Sequence, residues 1–341
     1  MESMQRDKNE LRRDPVNGSW TVIMKNNSKL AELLLPVDNN QNLSDESSIS
    51  NLIESGEELM RESRSADSND WLFKVIAGKQ PVLQIHGPLN NRGKGLYDVC
   101  DGIGAHEIVL ETHDTGLPFE DLSVDHITKV MTAYATRIVD LKRDVRFRYV
   151  MVHKMQQGTN REDFHALSHI VATPITPIKI RLKLENCKRH YQYKERCLFC
   201  DIIYQEQDNE ERVVAESDHF IAISPFASSV PFHLQILPKN HEPFYENNSQ
   251  IAQLAEMMKD LLTKLKRVTG QNNYEIYINS APNIDSAKRR GYWRTLHSDY
   301  HWHIEILPLL RFKNNVKEDV GFSINPISPE KATYHLRHED E

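Results

Sequence analysis

Tyr300-His301-Trp302-His303-Ile304-Glu305-Ile306-Leu307-Pro308 alternates polar and apolar residues with a period of two. That is strand periodicity, so His301, His303 and Glu305 are expected on one face of a sheet. Two imidazoles and a carboxylate in one row are costly to bury without partners. They read as a catalytic or metal site, against the plainer reading of a polar strand. A free imidazole here can act as general base or nucleophile. Attack by His303 on an α-phosphorus would give a phosphohistidine-type intermediate.

A second cluster lies upstream. Cys197-Leu198-Phe199-Cys200 holds two thiols within one turn, a spacing that suits a single tetrahedral ion. His241, at the end of the strand His233–His241, and His301 would complete a two-Cys, two-His zinc site. The redox alternative for CxxC expects a helix N-terminus following a strand, and Lys194-Glu195-Arg196 precedes the motif instead. Asn279, ending the run Tyr274–Asn279, could donate to a phosphate oxygen. Lys288, Arg289, Arg290 and Arg294 could clamp a phosphate. A solvated basic loop is the competing reading for that stretch.

These residues need elements to hold them. The chain reads as α+β. Residues 1–37 form an N-terminal β entry, with a turn signal at Asp14-Pro15-Val16-Asn17-Gly18 before a strand. Residues 38–70 are rich in Asn, Ser, Asp and Glu and read as a polar flexible insert, with one short helix over Ser50–Arg61. Two units with the same element order follow, at 71–185 and 190–341. Each has a strand ending in His, a long amphipathic helix (Val124–Lys142; Ser249–Val268), a further strand, a polar loop and a last strand. Duplication is the simplest account. Antiparallel sheets with long helices packed on them are expected.

Composition narrows the function. The 341 residues suffice for two ordinary domains. A net charge of −7 argues against general nucleic-acid binding. No apolar run approaches a membrane span and no signal region opens the chain, so a cytoplasmic protein is expected. Four cysteines, only two of them closely spaced, fit a reducing compartment and a metal rather than a disulfide scaffold.

The succession CxxC, Pro-Lys-Asn-His, then His-x-His with a third polar residue resembles the histidine-triad superfamily. With the opening Arg12-Arg13-Asp14-Pro15-Val16-Asn17-Gly18-Ser19-Trp20, the chain is similar to the duplicated form, the galactose-1-phosphate uridylyltransferase group that includes ADP-glucose phosphorylase. The resemblance implies two histidine-triad-like units and nucleotidyl transfer in two steps. A histidine takes the nucleotide from a nucleotide sugar, and a hexose-1-phosphate then accepts it. It also implies zinc on Cys197, Cys200, His241 and His301, and a homodimer, since such proteins are often dimers.

The pattern breaks in the first unit. The family's His-Pro-His-x-Gln nucleophile motif falls on His165-Ala166-Leu167-Ser168-His169. His165 keeps the ligand position, Leu167 takes the nucleophile position and His169 stands for the Gln. His113 matches another ligand, but the two expected upstream cysteines are missing. The phosphate loop is altered at Lys154–Asn160. His303 with Glu305 in the second unit is therefore the remaining candidate centre. The alternatives are a silent sugar-nucleotide-binding relative and a histidine-triad hydrolase.

Overall fold

The computed structural model describes residues 10–23, 56–64, 70–77, 83–157, 164–288, 293–310 and 322–338. Its centre is a ten-stranded sheet. The first half comprises β3 (Glu57–Ser63), β4 (Trp71–Ala77), β7 (Ala105–Leu110), β8 (Tyr149–Gln156) and β9 (Leu167–Thr173). The second half comprises β10 (Val213–Glu216), β11 (Phe220–Ile223), β12 (Leu234–Pro238), β13 (Tyr274–Asn279) and β14 (His303–Pro308). The order across the sheet is β10-β11-β12-β14-β13-β8-β9-β7-β4-β3. Read outward from the middle, the halves run β13-β14-β12-β11-β10 and β8-β9-β7-β4-β3, the same connectivity on either side of the antiparallel β8–β13 pair. The sheets expected for the two units are thus one sheet.

One face of this sheet is apolar because the strands alternate. Val150, Val152, Ile276, Ile278, Ile304 and Ile306 all enter the main core. Helix Val124–Lys142 packs on it through Ile127, Val130, Met131, Tyr134, Ile138 and Leu141, a 3–4 spacing that draws one stripe along the helix. Ser123 starts this helix by accepting the His126 N–H. Helix Ile251–Thr269 buries Leu254, Met258, Leu261 and Leu265 in the same core and ends at Gly270, whose φ of +67° is left-handed. Gly104 admits β7 close to β9, since a Cβ there would lie 2.5 Å from the Ala172 carbonyl oxygen.

The opposite face carries the polar members of each alternation. Over the second half it is covered by helices Ile178–Lys194 and Leu198–Asn209, with Ile180, Leu184, Cys187, Phe199 and Ile203 forming a second core against Ile221, Ile223 and Leu237. A small sheet of β1 (Glu10–Arg13), β2 (Trp20–Ile23) and β15 (Ser323–Asn325) ties the N-terminal hairpin to the C-terminal part, and β5 (Arg92–Lys94) pairs with β6 (Tyr97–Val99) in a separate exposed hairpin.

One expected element is corrected. The helix placed over Ser50–Arg61 is absent from its described part, because Glu57–Ser63 is the edge strand β3 paired to β4. Its burial is low throughout, so no apolar alternation marks it in the sequence. Pairing to β4 decides its conformation, and a charged edge also blocks further strand addition.

Candidate functional site

Cys197 caps helix Leu198–Asn209 and Cys200 lies in its first turn. A helix, Ile178–Lys194, precedes the motif, joined through Glu195 at φ +55°. The strand that a redox CxxC motif would have before it is not there. The thiols, His241 and His301 offer donor atoms that all lie within 4.8 Å of one another. His241 sits three residues beyond β12, and His301 lies two residues before β14.

The two imidazoles are held in the tautomer that a metal needs. His241 Nε2–H donates to the His297 carbonyl at 2.9 Å, and His301 Nε2–H donates to the Pro238 carbonyl at 2.8 Å. Each Nδ1 then carries the free lone pair, and both point at Cys200 Sγ, at 3.4 and 3.7 Å. The Cys200 thiol is held well below the ordinary range, chiefly by the hydrogen bond from Cys197. Cys197 is pushed up by that same bond and by burial. Two sulfurs and two imidazole nitrogens so arranged fit a tetrahedral cation.

His303, two residues on, is fully buried. Its Nδ1–H donates to the His301 carbonyl at 3.1 Å, so Nε2 carries the lone pair. Lys183 Nζ donates to that nitrogen at 3.0 Å and to Glu305 Oε2 at 2.7 Å. Burial, and then Lys183, lower the His303 pKa to about 3, so the imidazole is neutral. Burial pushes the Glu305 carboxyl up, but Lys183, His303 and His233 together outweigh it and hold the group well below the usual carboxylate range. Glu305 bonds Lys183 and not His303. The backbone carbonyl of His301 therefore orients the imidazole.

The remaining candidates fall as follows. Asn279 is buried and donates to Glu305 Oε2 at 3.0 Å, so its amide braces the carboxylate instead of facing a phosphate. Arg294 is exposed. Arg289 and Arg290 lie outside the described residues. Lys183 was not visible as a site residue. Its signal was there: helix Ile178–Lys194 buries Ile180, Lys183, Leu184 and Cys187, so a lysine occupies a position of the apolar stripe.

In the first half, His169 and His106 form a pair, Nδ1 to Nε2 at 3.0 Å. His153 stacks on Tyr277 with ring centroids 4.5 Å apart. His113 is exposed at the edge of Trp71. Leu167 packs beside Ile108 and Leu110. Among the described residues no metal-donor group forms around His113 or His165. The registers His169↔His153, His153↔Tyr277, Tyr277↔Glu305 and Glu305↔Gln235 draw one polar row across five strands, linking the halves.

An antiparallel α+β sheet of this connectivity with a Cys₂His₂ cluster defines a class, and comparison with known proteins agrees. Residues 183–338 match the family described as "Galactose-1-phosphate uridyl transferase, C-terminal domain". The chain thus carries a galactose-1-phosphate uridylyltransferase-like domain over that range. ADP-glucose phosphorylase of Arabidopsis thaliana is 24% identical over 345 residues, covering 98% of this chain and 94% of the relative. Galactose-1-phosphate uridylyltransferase of Thermotoga maritima is 25% identical over 263 residues, covering 73% and 79%. A crystal structure of the Arabidopsis ADP-glucose phosphorylase with bound ADP-glucose superposes with a TM-score of 0.75 at 23% identity, covering 97% of this chain and 98% of that one, and so shares the fold.

Proposed function

We propose that this chain is a nucleotidyltransferase of the galactose-1-phosphate uridylyltransferase kind, exchanging a nucleoside monophosphate between a nucleotide sugar and a hexose-1-phosphate. The observation that carries this reading is the state of His303: a neutral imidazole whose Nδ1–H is fixed by a backbone carbonyl and whose Nε2 lone pair meets a cation at 3.0 Å. His303 Nε2 attacks the α-phosphorus, and the bond from phosphorus to the bridging oxygen breaks. Hexose-1-phosphate leaves with that electron pair. A second hexose-1-phosphate then attacks phosphorus, and the P–N bond breaks back to His303. Lys183 must leave Nε2 before attack, and its ammonium is at hand to neutralise a phosphate oxygen.

Cys197, Cys200, His241 and His301 would hold zinc, which would fix β14 against helix Leu198–Asn209 and so orient the backbone carbonyl that His303 uses. The chain divides in this proposal into an N-terminal β entry at 1–37, a polar segment at 38–70 that supplies the edge strand β3 to the first half of the sheet, and repeated units at 71–185 and 190–341, with the second unit as the working one. A homodimer and a cytoplasmic location belong to the same reading. Among the described residues no helix is long and apolar enough to cross a membrane. Static light scattering tests the dimer.

A second reading has its own support. Full burial of His303, a lysine on its Nε2 and Leu167 in the first unit all suit a protein that binds a sugar nucleotide without turning it over. The experiment is intact-mass analysis after incubation with UDP-glucose and, separately, ADP-glucose, beside His303→Asn. An acid-labile nucleotidyl adduct on the wild type alone is the expected result. Its absence from folded, metal-loaded protein would overturn the transferase in favour of the binding protein.

A further inference from the structure

We infer that a binding pocket for the hydroxyl-bearing ring of a neutral sugar lies between the second unit and the N-terminal hairpin loop, beside the Lys183–Glu305 pair and not lined by the metal cluster. A cavity of about 230 Å³ lies between the Arg13–Asn17 loop, helix Leu198–Asn209 and the polar face of β12 and β14. Its walls are apolar: Val16, Ile202, Ile223, Pro225, Phe226 and Ala227. Its polar lining includes His233, Gln235, Glu206, Lys183 and Glu305. Apolar walls with a few convergent polar groups are the usual make-up of a small-molecule site.

The strongest sign is His233. It is 7% exposed, lines the cavity, and neither ring nitrogen has a hydrogen-bond partner. Glu206 is 4% exposed, and its Oε2 also lacks a partner while Oε1 accepts from Arg212. Buried polar atoms are rarely left unpaired, because each forfeits the hydrogen bond that water would give it. An imidazole with one donor and one acceptor nitrogen, beside a carboxylate oxygen, matches hydroxyl groups, which both donate and accept.

Charge selects against an anion. Arg13 and Lys183 face the cavity, but so do Asp14, Glu206 and Glu305. Lys183 is already bound to Glu305 at 2.7 Å, and Asp14 is engaged by the backbone N–H groups of Val16 and Asn17. Lys183 is engaged and Arg13 is exposed at the rim, so three carboxylates outweigh two cations around the cavity and repel a phosphate, whereas a neutral ring meets no repulsion. The hydroxylated ring could be a free hexose or the ribose of a nucleoside. The two share the chemistry and differ in the flat base.

The test uses full-length protein and ligand-observed NMR, with glucose, galactose, uridine and adenosine, and with inorganic phosphate as the charged probe. No nucleotide donor is present, so the outcome is separate from that of the adduct experiment at His303. Saturable binding of a neutral ring is expected. It should weaken about tenfold in His233→Phe, which keeps the buried ring but removes both nitrogens, a loss of about 1.4 kcal/mol. Gln205, exposed at the cavity edge on helix Leu198–Asn209, provides a variant that spares the core: Gln205→Trp should also abolish binding, with thermal unfolding unchanged. Binding of hexoses alone, or of nucleosides alone, identifies the source of the ring. No saturable binding of any neutral ring, equal binding by Gln205→Trp, or tighter binding of phosphate than of the sugars would overturn the assignment.

Discussion

Replacing Lys183 by Met tests the buried triad most directly. Lys183 and Glu305 are 2.7 Å apart, with side chains 6% and 18% exposed, so the pair belongs to the buried regime and not to the weak surface one. Two unit charges about 4 Å apart at an effective dielectric near 20 attract by about 4 kcal/mol. Removing one partner of such a pair costs about 3–5 kcal/mol, because the other charge stays buried. The Asn279 amide still donates to Glu305, so Lys183→Met is expected toward the lower end, about 3 kcal/mol. Adding Glu305→Gln removes the stranded charge and should restore at least half of that loss. Urea unfolding followed by tryptophan fluorescence reads both numbers. The pH dependence gives an independent sign. Glu305 in the native protein lies below its ordinary value of 4.5. Its contribution is therefore present above about pH 4.5 and is lost as the pH falls toward the native value. Without Lys183, burial dominates and the carboxyl moves up, so acid should help the variant. The stability gap between wild type and Lys183→Met should narrow from pH 7 to pH 4. A single-variant loss under about 1 kcal/mol, or a double variant no better than the single, would refute the argument.

Other consequences follow from the same contacts. Metal analysis should find about one zinc per chain, lost in Cys200→Ser, with chelation lowering the melting temperature because binding free energy to a structural site adds to folding. Burial lowers His233 to about 4 from an ordinary 6.5. The unfolded chain therefore takes up that proton first, and stability present above pH 6.5 is lost as the pH falls toward 4. His233→Phe should flatten the slope in that window by about one proton, as read from unfolding free energies at several pH values. Tyr134 donates to Glu111 Oε1 at 2.7 Å in a buried network with Ser168 and Lys154. Tyr134→Phe should cost about 1–3 kcal/mol in the same urea assay.

Much of the frame was legible in the chain. The helix over Val124–Lys142 and the strand over Tyr274–Asn279 stand where the periodicity put them, since each buries one face and that burial writes a local repeat. Local spacing wrote the CxxC pair into one turn, while His241 and His301 reach it across 41 and 101 residues of chain. The β3 strand was misread for the opposite reason. It is exposed at an edge, so no repeat was written into Glu57–Ser63.

What the sequence determined, then, was every feature carried by local spacing: the period of helix and strand, the CxxC pair in one turn and the polar alternation of His303 and Glu305 on β14. The tertiary structure alone decided the rest. Lys183 meets His303 and Glu305 across 120 and 122 residues of chain. The β8–β13 pairing merges two expected sheets into one, and the hairpin loop at Arg13–Asn17 closes a cavity over His233. Such contacts depend on how faces pack, and a lysine on an apolar stripe shows only that it will be buried, not what it will be buried against.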